Sequence, residues 1–545
     1  MEHYSTSELP GDVTRPLNRK GNVMQKRREF LATVGAAGAV LAGGGAFGAE
    51  RRRGGRPNVL LLFSDQHNAG VMGCAGNKTV RTPHLDQLAA QGVRFSRAYC
   101  PDGVCVPSRT AMFTGLYPRT TGVLHNSDAP SKSDKLLPLH KLLRANGYRT
   151  GAFGKMHLAR GVREGGWDSS ATTISPKQDP SDENYWDWVR KRGQFESHER
   201  DFKGSHDASL MSQLSQTKPE NRTTAYVAGK TIDFLRKCKQ VDKPFFCWSS
   251  FIYPHQPYTP LKQWAKLYDQ DKIKLPANVD ESAENLPPSL RSWRKNTRRP
   301  WDCGTAAKDH AIYRRYVAYY YALVSEIDHH IGAVLAELKR LGLDDNTIVI
   351  YASDHGDFVA AHGMVEKCAV GHNVYEDTLR VPLMFRWGGK FKGGVVRDDL
   401  VTLLDLYPTI MELTGVKRPD GAGQLDGMSL AGALTAGKPL GREYVVSENW
   451  SQISVIGRRY KLGVWQAPGK RYARWDFRKH GDMLFDRQTD PLETKNLAGK
   501  PRIAEQEKAM RAFLARWLEK VDATGRNRLA KLPSVVKKKK ESKRK

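Results

Sequence analysis

Cys105-Val106-Pro107-Ser108-Arg109 places a thiol at the head of a stretch able to form a helix. Pro107 can start a helix, because its missing N–H would be unpaired there anyway. Cys105 then sits at a helix N-terminus, which favours anions and lowers a thiol pKa. On position alone, a buried structural cysteine is the simpler account. Arg109 lies one helical turn further on, free to point back toward Cys105 or toward neighbouring carboxylates. Asp65, Gln66, Asp354 and His355 follow two apolar runs. Their oxygen donors suit calcium or magnesium, while an imidazole nitrogen eases the entry of manganese or another transition ion. A loop turn or a helix cap is the plain alternative for Asp65 and Asp354. Lys155 and His157 stand two apart after a third run, and His255 follows a fourth. Histidine suits proton transfer near neutral pH, and lysine supplies positive charge.

These residues need a scaffold that brings distant segments together. The runs at 59–63, 150–154, 245–248 and 347–351 are continuously apolar, as in central strands of a parallel sheet covered on both faces. Helical patterns lie between them, at 84–91, 136–145 and 312–341, the last ending at Gly342. The alternation predicts an α/β fold: a large, mostly parallel central sheet sandwiched by helices. Ligands of such sheets bind beyond the carboxyl ends of the strands, where the residues above fall. After about residue 435 the pattern changes to short strands at 443–446, 452–456, 460–465 and 482–485, then a helix at 503–521. This predicts a smaller C-terminal antiparallel sheet with a helix. The segment 163–222 reads as polar, irregular loops near the mouth of the site.

The pentapeptide C-x-P-S-R, followed by a small-residue helix and Thr114-Gly115, resembles the type I sulfatase signature, within the alkaline phosphatase superfamily. SDQH, GKMHL, PHQPYTP, SDHGD, YEDTLRVPLM and LFDRQTDPLETKNLA follow in the family's order, over roughly residues 57–500. The resemblance implies that a sulfatase-maturing enzyme oxidises Cys105 to Cα-formylglycine before folding. One hydroxyl of the hydrated aldehyde attacks sulfur, and the other later collapses to the carbonyl and expels sulfate. It implies one divalent ion, most often calcium, held by Asp65, Gln66, Asp354, His355 and the modified Cys105. Gln66 and His355 replace residues commoner at those positions. It implies that Lys155 contacts the hydrate and sulfate, and that His157 takes the proton that lets sulfate leave. His255 and Lys367 resemble the pair that binds sulfate and protonates the leaving oxygen. The loop GMVEKCAVGHN departs from the usual spacing, so His372 competes with Lys367. The expected activity is hydrolysis of a sulfate ester on a sulfated carbohydrate.

Composition bounds the alternatives. Hydrophobic residues make up 39%, which excludes wholesale disorder. Seven cysteines do not make a disulfide scaffold. Cys247 reads as a buried strand residue, and the remaining six-residue set without Cys105 permits disulfides without fixing a pairing. No apolar run has the length of a mature membrane span, so no integral membrane protein is expected after processing. The formal net charge is +29, which suits a polyanionic partner; nucleic acid is not expected. Residues 1–56 read as an export signal and basic leader, with Lys26-Arg27-Arg28-Glu29-Phe30-Leu31 resembling a twin-arginine signal and Met24 an alternative start. That reading implies the twin-arginine export machinery and a periplasmic or extracellular location. Residues 57–435 are then the catalytic domain, 436–525 a C-terminal subdomain, and 526–545 a solvated basic tail. Two other functions fit the same residues. One is a phosphonate or phosphate ester hydrolase of the superfamily. The other is an inactive polyanion-binding protein, against which the intact Cys105, Arg109, Asp65 and Asp354 argue.

Overall fold

The four apolar runs form four adjacent strands. They belong to a computed structural model that describes residues 55–126, 136–175, 178–367, 373–449, 452–465 and 480–523. The first sheet contains β1 (Asn58–Asp65), β2 (Val93–Tyr99), β3 (Arg149–Gly154), β4 (Ser169–Thr172), β5 (Glu183–Asn184), β6 (Phe245–Pro254), β7 (Thr347–Ser353), β8 (Leu383–Arg386) and β9 (Val395–Thr402). Their order is β5-β4-β3-β6-β1-β7-β8-β2-β9. β8 runs antiparallel to β7 and β2, and the other pairings are parallel. The predicted runs are thus the sheet centre, β3-β6-β1-β7. Every residue of β1 and β7 is buried, as expected of strands with helices on both faces. Leu60, Leu62 and Val349 face one core layer with the helices Thr223–Lys239 and His310–Arg340. Val59, Leu61 and Ile350 face the other, with Met112, Phe113 and Leu406.

Local details depart from expectation by a turn or less. The helix carrying the pentapeptide begins at Cys105 itself, with Pro107 in its third position, where an N–H is still unpaired by the helix. The long helix ends at Arg340, and Gly342 follows with φ 64°. The larger correction concerns 163–222. It is not merely loop: it supplies β4, β5 and the helices Tyr185–Lys191 and Phe195–Ser205. Its apolar residues are sparse but well placed, since Tyr185 and Val189 enter the core. Sparse spacing gave no periodic signal.

The C-terminal strands β10 (Val445–Asn449), β11 (Gln452–Ile456), β12 (Tyr460–Trp465) and β13 (Met483–Asp486) form an antiparallel sheet in that order. Val446, Ile453, Val455, Leu462 and Leu484 pack on the helix Ala504–Ala523 through Met510 and Leu514. A buried ionic seam joins this sheet to the first. Lys461 is fully buried and pairs with Glu493 and with Glu376 at 3.3 Å. Arg487 pairs with Glu376 at 2.7 Å and donates to the Tyr99 hydroxyl at 2.6 Å.

The six described cysteines other than Cys368 are free, and Cys247 is buried in β6 as expected. No described helix is long and apolar enough to cross a membrane. Residues 1–54 of the export leader and the basic tail lie outside the described residues.

Candidate active site

β1 ends at Asp65, and the chain turns sharply there. Gln66 has φ 67°, a strained value for a side chain with a Cβ. Its N–H donates to Asp354 Oδ1 at 3.0 Å, and its carbonyl accepts from Tyr320 at 2.6 Å. β7 ends one residue before Asp354, so two adjacent strands deliver two carboxylates to one place. At the end of β3, Gly154 has φ 105°, and a Cβ there would lie 1.8 Å from the Ser250 carbonyl oxygen. Only glycine lets the chain pass β6 this closely and present Lys155.

Cys105 meets these strand ends. Ligand atoms of Asp65, Cys105, Asp354 and His355 all lie within 4.8 Å of one another, and all four residues are buried. Lys155 Nζ is 2.5 Å from Asp65 Oδ2 and 3.6 Å from Cys105 Sγ. Arg109 turns to the carboxylates rather than the thiol: Nη2 meets Asp65 at 2.9 Å and Nε meets Asp354 at 2.7 Å. Its guanidinium lies over the Phe63 ring at 5.1 Å. Burial alone would raise the Asp65 pKa, but Lys155, His255 and Arg109 hold it well below the usual range. Burial pushes the Cys105 thiol up to about 12, and Asp65 adds to the rise. The helix N-terminus does not overcome those two effects, so the unmodified thiol is a poor nucleophile.

His355 has a defined tautomer. Its Nδ1 donates to the Gly356 carbonyl at 3.0 Å, leaving Nε2 with its lone pair 3.2 Å from Cys105 Sγ. Burial lowers its pKa and keeps the ring neutral. Two carboxylates and one neutral imidazole nitrogen, converging on one point, suit a divalent cation. Gln66 is engaged differently. Its Oε1 accepts from Lys367 at 2.9 Å, and its Nε2 donates to Asp357 at 2.7 Å and to the Tyr258 hydroxyl at 3.1 Å.

The two remaining predicted groups pair with each other. Lys367 Nζ donates to His255 Nε2 at 3.2 Å and forms an ion pair with Glu366 at 2.6 Å. His255 Nδ1 donates to the Gln256 carbonyl at 2.8 Å. Burial, then Lys155 and Lys367, lower the His255 pKa. His157 follows Lys155 at φ 45°, its pKa lowered by burial and by Lys155. His372 lies outside the described residues. The sequence reading missed Glu366, Asp357 and Asp179, which hold Lys367, Gln66 and the Met156–His157 backbone respectively. None had a motif to mark it, although Glu366 adjoins Lys367.

Three carboxylates (Asp65, Asp354, Glu366) face three cations (Arg109, Lys155, Lys367) in this cluster. Asp357, bonded to Gln66, adds a fourth carboxyl group, and a bound divalent ion would still leave the pocket positive, ready for an anion. An α/β sandwich with this constellation beyond its strand ends is built as a hydrolase centre. The sulfatase profile matches residues 57–416, and the profile of the N-sulphoglucosamine sulphohydrolase C-terminal region matches 361–520. The chain belongs to the sulfatase family, the type I sulfatases of the alkaline phosphatase superfamily.

Its relatives include the uncharacterized sulfatase YidJ of Escherichia coli (strain K12), 28% identical over 468 residues, covering 86% of this chain and 88% of that protein. The N-acetylglucosamine-6-O-sulfatase of Bacteroides thetaiotaomicron is 24% identical over 519 residues, covering 84% and 86%. Among solved structures, the phosphonate monoester hydrolase of Silicibacter pomeroyi superposes with a TM-score of 0.70 at 23% identity, over 85% of this chain and 96% of that one. That likeness shows the fold.

Proposed function

We propose that this protein is an exported sulfatase that removes sulfate from a sulfated carbohydrate, with Cys105 converted to formylglycine by a maturing enzyme. The observation that carries the reading is the convergence of Cys105, Asp65, Asp354 and His355 within 4.8 Å, flanked by Lys155 and Lys367. The sugar is inferred from the relative named for a 6-O-sulfated amino sugar and from the matched sulphohydrolase region. The net charge of +29 favours a polyanionic substrate.

Asp65, Asp354 and His355 would hold one divalent ion, for which we propose calcium, with Gln66 Oε1 joining if it exchanges its bond from Lys367. The ion supplies charge stabilisation to the sulfate oxygens, and formylglycine supplies a hydrated aldehyde as nucleophile. The other residues act without passing through either group. Arg109 fixes both carboxylates at the angle set by its fork of donors. Lys155 and Lys367 bring positive charge to the anion. His255, neutral and accepting from Lys367 at Nε2, pairs with the ammonium that supplies the proton to the leaving oxygen. The buried strand ends keep bulk water away from the reacting centre.

The test is to make the protein beside a sulfatase-maturing enzyme and weigh the tryptic peptide Ala98–Arg109. A mass for the aldehyde or its hydrate at Cys105 is the expected result. An unmodified thiol, while a control sulfatase matures in the same cells, overturns the reading. Turnover of aryl sulfate against phosphate diester and phosphonate monoester separates a sulfatase from a phosphonate hydrolase. Cys105→Ala binding of a sulfated polymer without any wild-type turnover would indicate a polyanion-binding protein.

A further inference from the structure

Asp179 lies between β4 and β5 and is fully buried. Its Oδ2 accepts from three donors: the backbone N–H of Met156 at 2.9 Å, that of His157 at 3.2 Å and the Thr172 hydroxyl at 3.2 Å. These bonds hold the turn after Lys155, where His157 has φ 45°. Such a left-handed conformation is strained for a non-glycine residue and persists only when its surroundings fix it.

Two atoms in this spot are left over. Asp179 Oδ1 and His157 Nδ1 are each buried without a hydrogen-bond partner. Buried polar atoms are paired in the great majority of cases, because an orphan keeps its desolvation cost with no return. The two are chemically complementary, since a carboxylate oxygen only accepts and an imidazole nitrogen can donate. They are also tethered, because the same carboxylate already grips the N–H of His157 itself.

We propose that Asp179 is the positioning carboxylate of His157: it takes the proton of Nδ1 as a hydrogen bond and so leaves the Nε2 lone pair to act as the base. The role given to that base rests on the sulfatase reading above. In the release step, the hydroxyl proton of the sulfated hydrate passes to Nε2. The oxygen's electron pair closes the carbonyl, and the carbon–oxygen bond to sulfate breaks with its pair departing on sulfate. Water returns the hydrate afterwards, and the imidazolium gives up its proton. The opposite tautomer would aim two lone pairs at each other and put a proton where the base is needed. Burial raises Asp179 to about 6, so the group is a carboxylate at neutral pH.

Asp179→Asn tests this with little change of shape. The amide oxygen can still accept from Met156 and His157, but its NH₂ would face Nδ1 and force the proton onto Nε2. Two readouts are needed. The first is independent of catalysis: long-range ¹H–¹⁵N correlation of histidine-labelled, unmatured protein, with His157→Gln used to assign the signal. The wild type is expected to carry the proton on Nδ1 and Asp179→Asn on Nε2. An unchanged tautomer overturns the proposal. The second is transient kinetics of the mature enzyme on an aryl sulfate. Asp179→Asn is expected to lower kcat by about 10²- to 10⁴-fold while kcat/KM falls by less than about threefold, with one equivalent of phenol released in a burst. His157→Gln alone and the double variant are expected to match it. Equal loss of kcat and kcat/KM without a burst, at unchanged thermal stability, would mean that Asp179 is only structural. If the wild type, shown to carry the aldehyde at Cys105, hydrolyses neither aryl sulfate nor a sulfated amino sugar, the sulfatase reading fails, and the tautomer measurement still decides the role of Asp179.

Discussion

Two buried ionic clusters stand in contrast in this molecule. At the strand ends, Asp65, Asp354 and Glu366 face Arg109, Lys155 and Lys367. At the seam between the sheets, Glu376 and Glu493 face Lys461 and Arg487. Both are dehydrated and both need opposite charges in contact. They differ in what surrounds the charges. The first cluster also contains a thiol and three neutral imidazoles, one of which turns its Nε2 lone pair toward that thiol. The second adds the Tyr99 hydroxyl, engaged by Arg487, and Arg380 against Glu376 at 3.5 Å. The first cluster sets reactive groups among its charges, whereas the second consists of ion pairs and a phenol.

The contrast can be broken most directly at Cys105. Cys105→Ala is expected to cost about 10⁵-fold or more in turnover and to leave thermal unfolding close to wild type. A variant that retains a tenth of the activity would remove Cys105 from the chemistry. Next in size is the ion. Dialysis against a chelator is expected to lower activity by about 10²-fold, equivalent to about 3 kcal/mol of charge stabilisation. Calcium should restore it, as followed in a continuous aryl sulfate assay. Full activity after complete metal removal, checked by elemental analysis, would refute the metal site.

A matched pair of substitutions sharpens the comparison further. Arg109→Met and Lys461→Met each strand buried carboxylates, and each is expected to cost about 3–5 kcal/mol in urea unfolding. Only Arg109→Met should abolish turnover, whereas folded Lys461→Met should keep kcat within about threefold. Equal loss of kcat in both would show that the seam is part of the catalytic apparatus.

The smallest effect is set by pH. Burial lowers His67 to about 4 and His140 to about 3, against about 6.5 in the unfolded chain. Below 6.5 the unfolded state binds protons that the folded state refuses, so stability falls as pH drops toward those folded values. The slope is about 1.4 kcal/mol per pH unit for each such histidine. At the seam, burial works against Glu376, but Arg487 and Lys461 prevail and lower it to about 2. Its contribution is full above about 4.5 and fades only as pH falls toward 2. Denaturation at several pH values should therefore show decline between 6.5 and 5 before the seam contributes. A flat profile over that interval would contradict the neutral, buried imidazoles.

The sheet centre was legible because four apolar runs, each ending in a reactive residue, have no other comfortable home than adjacent parallel strands. Cys105, Asp65, Asp354 and Lys155 could be read because a specific pentapeptide and strand-end positions agreed. The engagement of Gln66 by Lys367 was hidden, since the order of residues says nothing about which of two oxygen-seeking groups a buried amide meets. Asp179 was hidden for a different reason. It lies in a polar stretch without periodicity, and its importance comes from two backbone N–H groups that carry no sequence signature. The seam was unreadable too, because Glu376, Lys461 and Glu493 come from three separate segments and look like ordinary surface charges until they are buried together.

Cys105 is 1% exposed in the folded chain, with its thiol pushed up to about 12. An enzyme or reagent that arrives after folding finds neither access nor a thiolate. On the formylglycine reading proposed above, folding would therefore act as a deadline: chains modified in time and chains that miss it would form two populations, and the specific activity of a preparation would record a race run once, at synthesis.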